Sequence, residues 1–250
     1  MCEMSEIRLL LLSNSTNFGS GYLDHAADEI RKHFAGARRV LFVPFALHDQ
    51  EGYVGKARHR LADLGLEVDG LEEGPTALGA VRRAEAFFVG GGNTFRLLAR
   101  LQASDVVQEI RRRALAGAPY MGASAGTVIA APTIMTTNDM PIVRPPTFDA
   151  LGLVPFQINC HYLDADPSSR HMGETREQRL REFHEENDVV VVGLREGAIL
   201  KVARSSTPQG VTAFLAPGGE SARAAGARVF RRGRDPVEVA PGSSLDHLLE

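Results

Sequence analysis

The chain has 250 residues, 44% of them hydrophobic and 24% charged, enough for one large α/β domain or two small ones with a sizeable core. A formal charge of −3, with no Lys/Arg block interleaved with aromatics, argues against a nucleic-acid partner. Two cysteines, Cys2 and Cys160, are too few for a disulfide framework or a cysteine zinc site, and Glu3 and Glu6 stand where a secretory signal would be positive, so a cytoplasmic protein off the membrane is expected.

Ile7 to Leu12 reads as a buried parallel strand, followed by a polar Ser/Asn/Thr/Gly loop and a helical stretch from Tyr22 to Phe34. Arg39 to Phe45, Leu66 to Val68 and Ala86 to Val89 read as further strands, with a helix over Tyr53 to Leu64. Strands alternating with helices predict βαβ units and a mainly parallel sheet covered on both faces. The strand at Ala86 to Val89 runs into Gly90-Gly91-Gly92-Asn93-Thr94, and helices follow over Phe95 to Leu101 and Ser104 to Ala116, with Asn93 or Thr94 as N-cap. Three glycines between a strand end and a cap leave backbone N–H groups free for an anion or oxyanion.

Ala118 to Met121 forms a short strand that meets Gly122-Ala123-Ser124-Ala125-Gly126, and a small-residue helical run continues from Ala125 to Ala131. Strand, Gly-x-Ser-x-Gly turn and helix are the order a nucleophile elbow requires. The crowded turn demands small residues two before and two after the serine, whose hydroxyl then stands clear of the sheet at a helix N-terminus. With 25 glycines in 250 residues the pattern alone is weak, and the rest of the chain has to support it.

Val154 to Ile158 predicts a strand with Asn159-Cys160-His161-Tyr162 at its end, where ligand groups collect in open α/β sheets. A polar, mobile loop is expected over Asp164 to Gly173 and a charged helix over Glu174 to Asn187. The strands Val189 to Gly193 and Ala198 to Val202 follow, with Leu194-Arg195-Glu196-Gly197 between them. Antiparallel strands at Val211 to Leu215, Ala227 to Arg231 and Val237 to Val239 then close the sheet edge. No linker divides the chain, so residues 1–250 read as one domain.

A serine nucleophile needs a histidine base and an orienting carboxylate. His48 and His161 both follow strand ends and are the contenders for the base. The acid is sought among Asp139, Asp164, Asp166 and Glu196. Glu196 is favoured, since a lone acid after so apolar a strand is harder to explain as a solvated face.

Gly90 to Phe95, Gly122 to Gly126, Thr136-Thr137-Asn138-Asp139-Met140-Pro141-Ile142-Val143, Gln157-Ile158-Asn159 with His161, Gly173 to Arg179, and Gly193-Leu194-x-Glu196-Gly197 occur together and in order. In these blocks the chain resembles the peptidase E group of the S51 serine peptidases, α-aspartyl dipeptidases. The resemblance implies a glutamine-amidotransferase-like (flavodoxin-like) α/β fold and a triad at Ser124, His161 and Glu196. It also implies an oxyanion hole from the N–H groups of Gly92 and Ala125, and hydrolysis of Asp-X dipeptides. Arg176 matches the aspartate-recognising position, with Arg179, Asn93 and Asp139 as further substrate-binding candidates; Asp139 would meet the substrate's amino group or back up the triad. No metal or cofactor is implied, and the protein would be a monomer or homodimer. Competing readings are a cyanophycinase-like β-aspartyl hydrolase and a non-catalytic small-anion binding protein on the same scaffold. Cys160 where proline is expected, Ala123 for an aromatic, and an altered Asp164 to Arg170 segment are departures from the family pattern.

Overall fold

The structure, a computed structural model, describes residues 7–168, 170, 172–204, 211–215 and 226–249. The acidic N-terminal segment with Cys2, and positions 169 and 171 of the loop expected over Asp164 to Gly173, lie outside them. In chain order the elements are β1 (Arg8–Leu12), α1 (Ala27–His33), β2 (Arg39–Val43), α2 (Gln50–Ala62), β3 (Glu67–Gly70), α3 (Ala77–Arg83), β4 (Ala86–Val89), α4 (Thr94–Ala103) and α5 (Val107–Leu115). They continue with β5 (Tyr120–Ala123), α6 (Ala125–Val128), β6 (Gln157–Tyr162), α7 (Arg176–Glu186), β7 (Val191–Arg195), β8 (Ile199–Arg204), β9 (Val211–Leu215), β10 (Ala227–Phe230) and β11 (Val237–Val239).

Strands β3, β2, β4, β5 and β1 lie side by side in parallel, and β8 and β9 extend that sheet antiparallel. The leucines of β1 explain why the inner strands read as unbroken apolar runs. Leu9 and Leu11 face a core shared with α4, α5 and α6, while Leu10 and Leu12 face one built with α1 and α2. Both faces are buried, so alternation along the strand disappears from the sequence.

The C-terminal strands do not all close one sheet edge, as the sequence led us to expect. Only β8 and β9 do so; β10 and β11 join β7 and β6 in a second sheet of four strands ordered β11-β10-β7-β6. The two sheets share one hydrophobic core, which includes Leu9 and Val89 from the first and Ile158, Val192 and Val229 from the second. Local boundaries also move. The stretch expected to be helical from Tyr22 becomes a 3-10 turn over Asp24–Ala26 before α1, and α3 stands where no element was expected. The strand read as Val154 to Ile158 is β6, displaced toward His161.

Candidate active site

Gly122-Ala123-Ser124-Ala125-Gly126 does form an elbow at the end of β5. Ser124 has φ 51° and ψ −110°, a region that L-residues avoid and that the surroundings must enforce. The enforcement is steric. A Cβ on Gly122 would stand 2.4 Å from the Gly126 carbonyl oxygen, and one on Gly126 would stand 2.0 Å from that of Val89. Ser124 N–H donates to Leu12 O (3.0 Å) and Thr127 Oγ1 donates to the same carbonyl (2.7 Å), tying the turn to β1. The helix after the serine is shorter than expected. Because α6 is a single turn, its aligned peptides carry little macrodipole, and the individual N–H donors matter instead.

His161 lies inside β6, at an irregularity where pairing with β7 shifts register between Asn159 and Tyr162, and its φ is 54°. Such a bulge re-aims one side chain out of the ladder. The result is a contact of 2.8 Å between His161 Nε2 and Ser124 Oγ. On the other side of the ring, His161 Nδ1 is 3.1 Å from Glu196 Oε1, in the turn after β7. An ionised carboxylate only accepts, so this pairing puts the ring proton on Nδ1 and leaves the Nε2 lone pair for the serine hydroxyl.

Two buried residues directly after β1 hold these parts together. Ser13 Oγ donates to Leu194 O (2.9 Å) and accepts from His161 N–H (3.0 Å). Asn14 Oδ1 accepts from Gly197 N–H at 2.7 Å, beside Glu196. Sequence reasoning passed over both as part of a polar loop. Their place at the carboxyl end of a central parallel strand was the available signal.

The Gly90-Gly91-Gly92 loop packs against the elbow: a Cβ on Gly91 would stand 3.1 Å from Ser124 Cβ. Tyr53 Oη of α2 accepts from Gly91 N–H (2.9 Å). Among the described residues Gly92 N–H makes no hydrogen bond, and Ala125 N–H, at the first position of α6, precedes any intrahelical acceptor. Neither N–H has a hydrogen-bond partner among the described residues. Cys160, the residue before His161, points its thiol at Ser124 O (3.5 Å), and burial raises its pKa well above the ordinary thiol value.

The Thr136 to Asp139 segment joins the two halves of the site. Thr136 Oγ1 and Asn138 Nδ2 donate to Ile158 O and Cys160 O of β6 (2.9 and 2.7 Å). Asp139 Oδ2 accepts from Thr94 N–H and Oγ1 at 2.7 and 2.6 Å, anchoring the start of α4. Among the described residues Asp139 makes no hydrogen bond to His161, whose ring contacts Ser124 and Glu196. Asn93 is the α4 N-cap, its Oδ1 accepting from Arg96 N–H (3.0 Å) while Nδ2 donates to Met140 O (2.8 Å). These bonds commit its side chain to the fold.

A cavity of about 660 Å³ opens over Ser124, with His161, Gly91, Gly92, Asp139, Tyr22 and Lys56 among its lining residues. His48 is exposed and does not line it. Of the other acids considered, Asp164 is bound by Arg195 (2.7 and 3.0 Å) and Asp166 by Ser168 (2.7 Å). Arg176 and Arg179 line a separate cavity of about 390 Å³ with Asp164 and Glu174. Arg179 is paired with Glu174 at 3.3 Å. Arg176 is half-buried, and its burial and the neighbouring Arg179 charge lower its pKa. Among the described residues no group of three His, Cys, Asp or Glu side chains is arranged to hold a metal ion, and no helix is long and apolar enough to cross a membrane.

Comparison with known proteins agrees with this architecture. The chain is 53% identical over 244 residues to peptidase E of Streptomyces coelicolor, covering 98% of this chain and 96% of that protein. It is 45% identical over 245 residues to a protein of Drosophila melanogaster named "probable alpha-aspartyl dipeptidase", covering 97% of each. The crystal structure of a peptidase from an acI-B1 Actinobacterium shares the fold, with a TM-score of 0.66 at 16% identity over 97% of this chain and 96% of that one. Residues 9–208 match the model of peptidase family S51, and the chain belongs to that family.

Proposed function

We propose that the protein is a serine dipeptidase that removes an N-terminal aspartate from Asp-X dipeptides. The observation that carries this reading is the aligned Ser124, His161 and Glu196 chain, at 2.8 and 3.1 Å, beside two available N–H donors. Ser124 Oγ attacks the scissile carbonyl as its proton passes to His161 Nε2. Gly92 and Ala125 N–H groups hold the oxyanion, and Glu196 orients the imidazolium. Collapse breaks the C–N bond, His161 protonates the leaving amine, and an acyl-enzyme remains. Water, deprotonated by His161, then releases aspartate and restores the serine.

Arg176, the match to the family's aspartate-recognising position, is the aspartate side-chain partner in this reading, although it lines a cavity separate from the one over Ser124. It is half-buried with no carboxylate paired to it among the described residues, whereas Arg179 is held by Glu174. A planar fork suits a carboxylate. Asp139 receives the substrate's ammonium: its Oδ2 serves Thr94 while Oδ1 has no partner among the described residues, and it lines the Ser124 cavity. One domain, working in the cytoplasm as a monomer or homodimer without metal or cofactor, completes the proposal; the core shared by both sheets supports the single domain.

The test is hydrolysis of α-Asp-Leu beside β-Asp-Leu, Glu-Leu and N-acetyl-Asp-Leu, with the Ser124→Ala protein as control. Cleavage of α-Asp-Leu alone, abolished by the substitution, is expected. Cleavage of the β-linked peptide instead would indicate a β-aspartyl hydrolase, and cleavage of none would indicate a binding protein.

A further inference from the structure

The cavity over Ser124 contains one Lys or Arg among its lining residues, Lys56. An Asp-X dipeptide brings three charged groups. The reading above, on which this inference rests, matches the side-chain carboxylate to Arg176 and the ammonium to Asp139. It leaves the C-terminal carboxylate without a partner.

Lys56 is well placed to be that partner. It follows Tyr53 by three residues on α2, and residues so spaced share one helix face. Tyr53 is fixed against the glycine loop through its bond to Gly91 N–H. Three residues of helix, a rise of about 4.5 Å, thus carry the chain from Tyr53 to Lys56. One residue, about 3.8 Å between successive Cα atoms, separates the two sides of the scissile bond from the terminal carboxylate.

The ammonium is held but not neutralised. Lys56 Nζ sits 4.4 Å from the centroid of the Tyr22 ring, a cation–π contact, and among the described residues it makes no ion pair. Of the two acids on the cavity wall, Asp49 accepts from Gly52 N–H (2.9 Å) as the cap of α2 and Asp139 accepts from Thr94. We propose that Lys56, steadied over Tyr22, binds the C-terminal carboxylate of the dipeptide. The terminus is then recognised one residue beyond the cut, and a longer peptide presents a neutral amide there. Lys56 would set the dipeptide length limit.

The experiment compares kcat/KM for Asp-Leu and Asp-Leu-amide in the native protein and in Lys56→Gln, with Lys56→Arg alongside. A charge-assisted hydrogen bond predicts that the native protein favours the free acid by about 10- to 100-fold. Lys56→Gln should lose that preference, chiefly through KM on the free acid, and leave the amide substrate unchanged; Lys56→Arg should keep most of it. Gln is close to Lys in helix propensity and the site is exposed, so the fold is retained and a thermal melt checks it. Equal losses on both substrates, or none, would overturn the assignment while the dipeptidase reading stands. Cleavage of neither peptide by the native protein would overturn the dipeptidase reading and the subsite with it.

Discussion

Ser124 and His161 meet at 2.8 Å although they belong to different sheets, Ser124 at the end of β5 and His161 within β6. Each has a positive φ, so neither side chain reaches the contact from a relaxed backbone. Ser13 joins the sheets by accepting from His161 N–H and donating to Leu194 O. Ser13→Ala is expected to leave a buried N–H and a carbonyl unpaired, costing about 1–3 kcal/mol of stability. It should also lower kcat by roughly tenfold with KM little changed, because positioning is lost and binding is not. Steady-state kinetics with a denaturation curve reads both effects.

The elbow predicts opposite stability effects at neighbouring positions. Gly126→Ala would drive a methyl to 2.0 Å from Val89 O, and backbone cannot step aside cheaply, so a loss of at least about 2–3 kcal/mol is expected. Ser124→Gly relieves the strained φ and should raise stability by about 1 kcal/mol while abolishing hydrolysis. Urea midpoints of the two variants should move in opposite directions from the native one. A Ser124→Gly protein no more stable than native would show that the turn holds no strain.

The parts of the site that were legible in the sequence are those whose constraint is local. The glycines around Ser124 are dictated by a turn of five residues, and Glu196 stands out because a strongly apolar strand ends just before it. His161 was legible as a residue near a strand end, but not as the centre of a bulge, since the register shift exists only when β6 pairs with β7. The split into two sheets was hidden for the same reason: β10 and β11 look like any edge strands until their partner is known. Helix α3 is seven residues long and buries Ala77 and Val81, too few positions for a period to show. Lys56 and Ser13 carry no motif, and only tertiary structure brings them to the nucleophile.

Arg195, next to Glu196, is gripped by Asp164 on one side and Glu238 on the other, at 2.7 and 2.5 Å. The Arg195 hydrogen bond is the main cause that holds the Asp164 carboxyl below its ordinary value of 3.8. A depressed carboxylate contributes stability that is fully present above its unfolded value and is lost as pH falls through the folded one. The pair is substantially exposed, so the contribution is about 1 kcal/mol or less. The stability gap between the native protein and Arg195→Met should therefore be constant from about pH 5 to 7 and shrink below about pH 4. Denaturant midpoints at those values measure it; a gap that widens in acid would assign the effect to another group.

Glu196 gives the sharpest separation of stability from activity. Its side chain is 63% exposed and that of His161 41%, so their hydrogen bond should contribute only about 0–1 kcal/mol to folding. Its importance lies in the tautomer. A carboxylate accepts from Nδ1–H and so leaves Nε2 as a base facing Ser124, whereas a glutamine amide can also donate to Nδ1 and turn Nε2 into an N–H that cannot take the serine proton. Glu196→Gln should lower kcat by about 10²- to 10⁴-fold, with KM and the melting temperature nearly unchanged. If the variant kept native kcat, the ring would be oriented by the Ser13 contact to the His161 backbone alone, and Glu196 would have no part in the reaction.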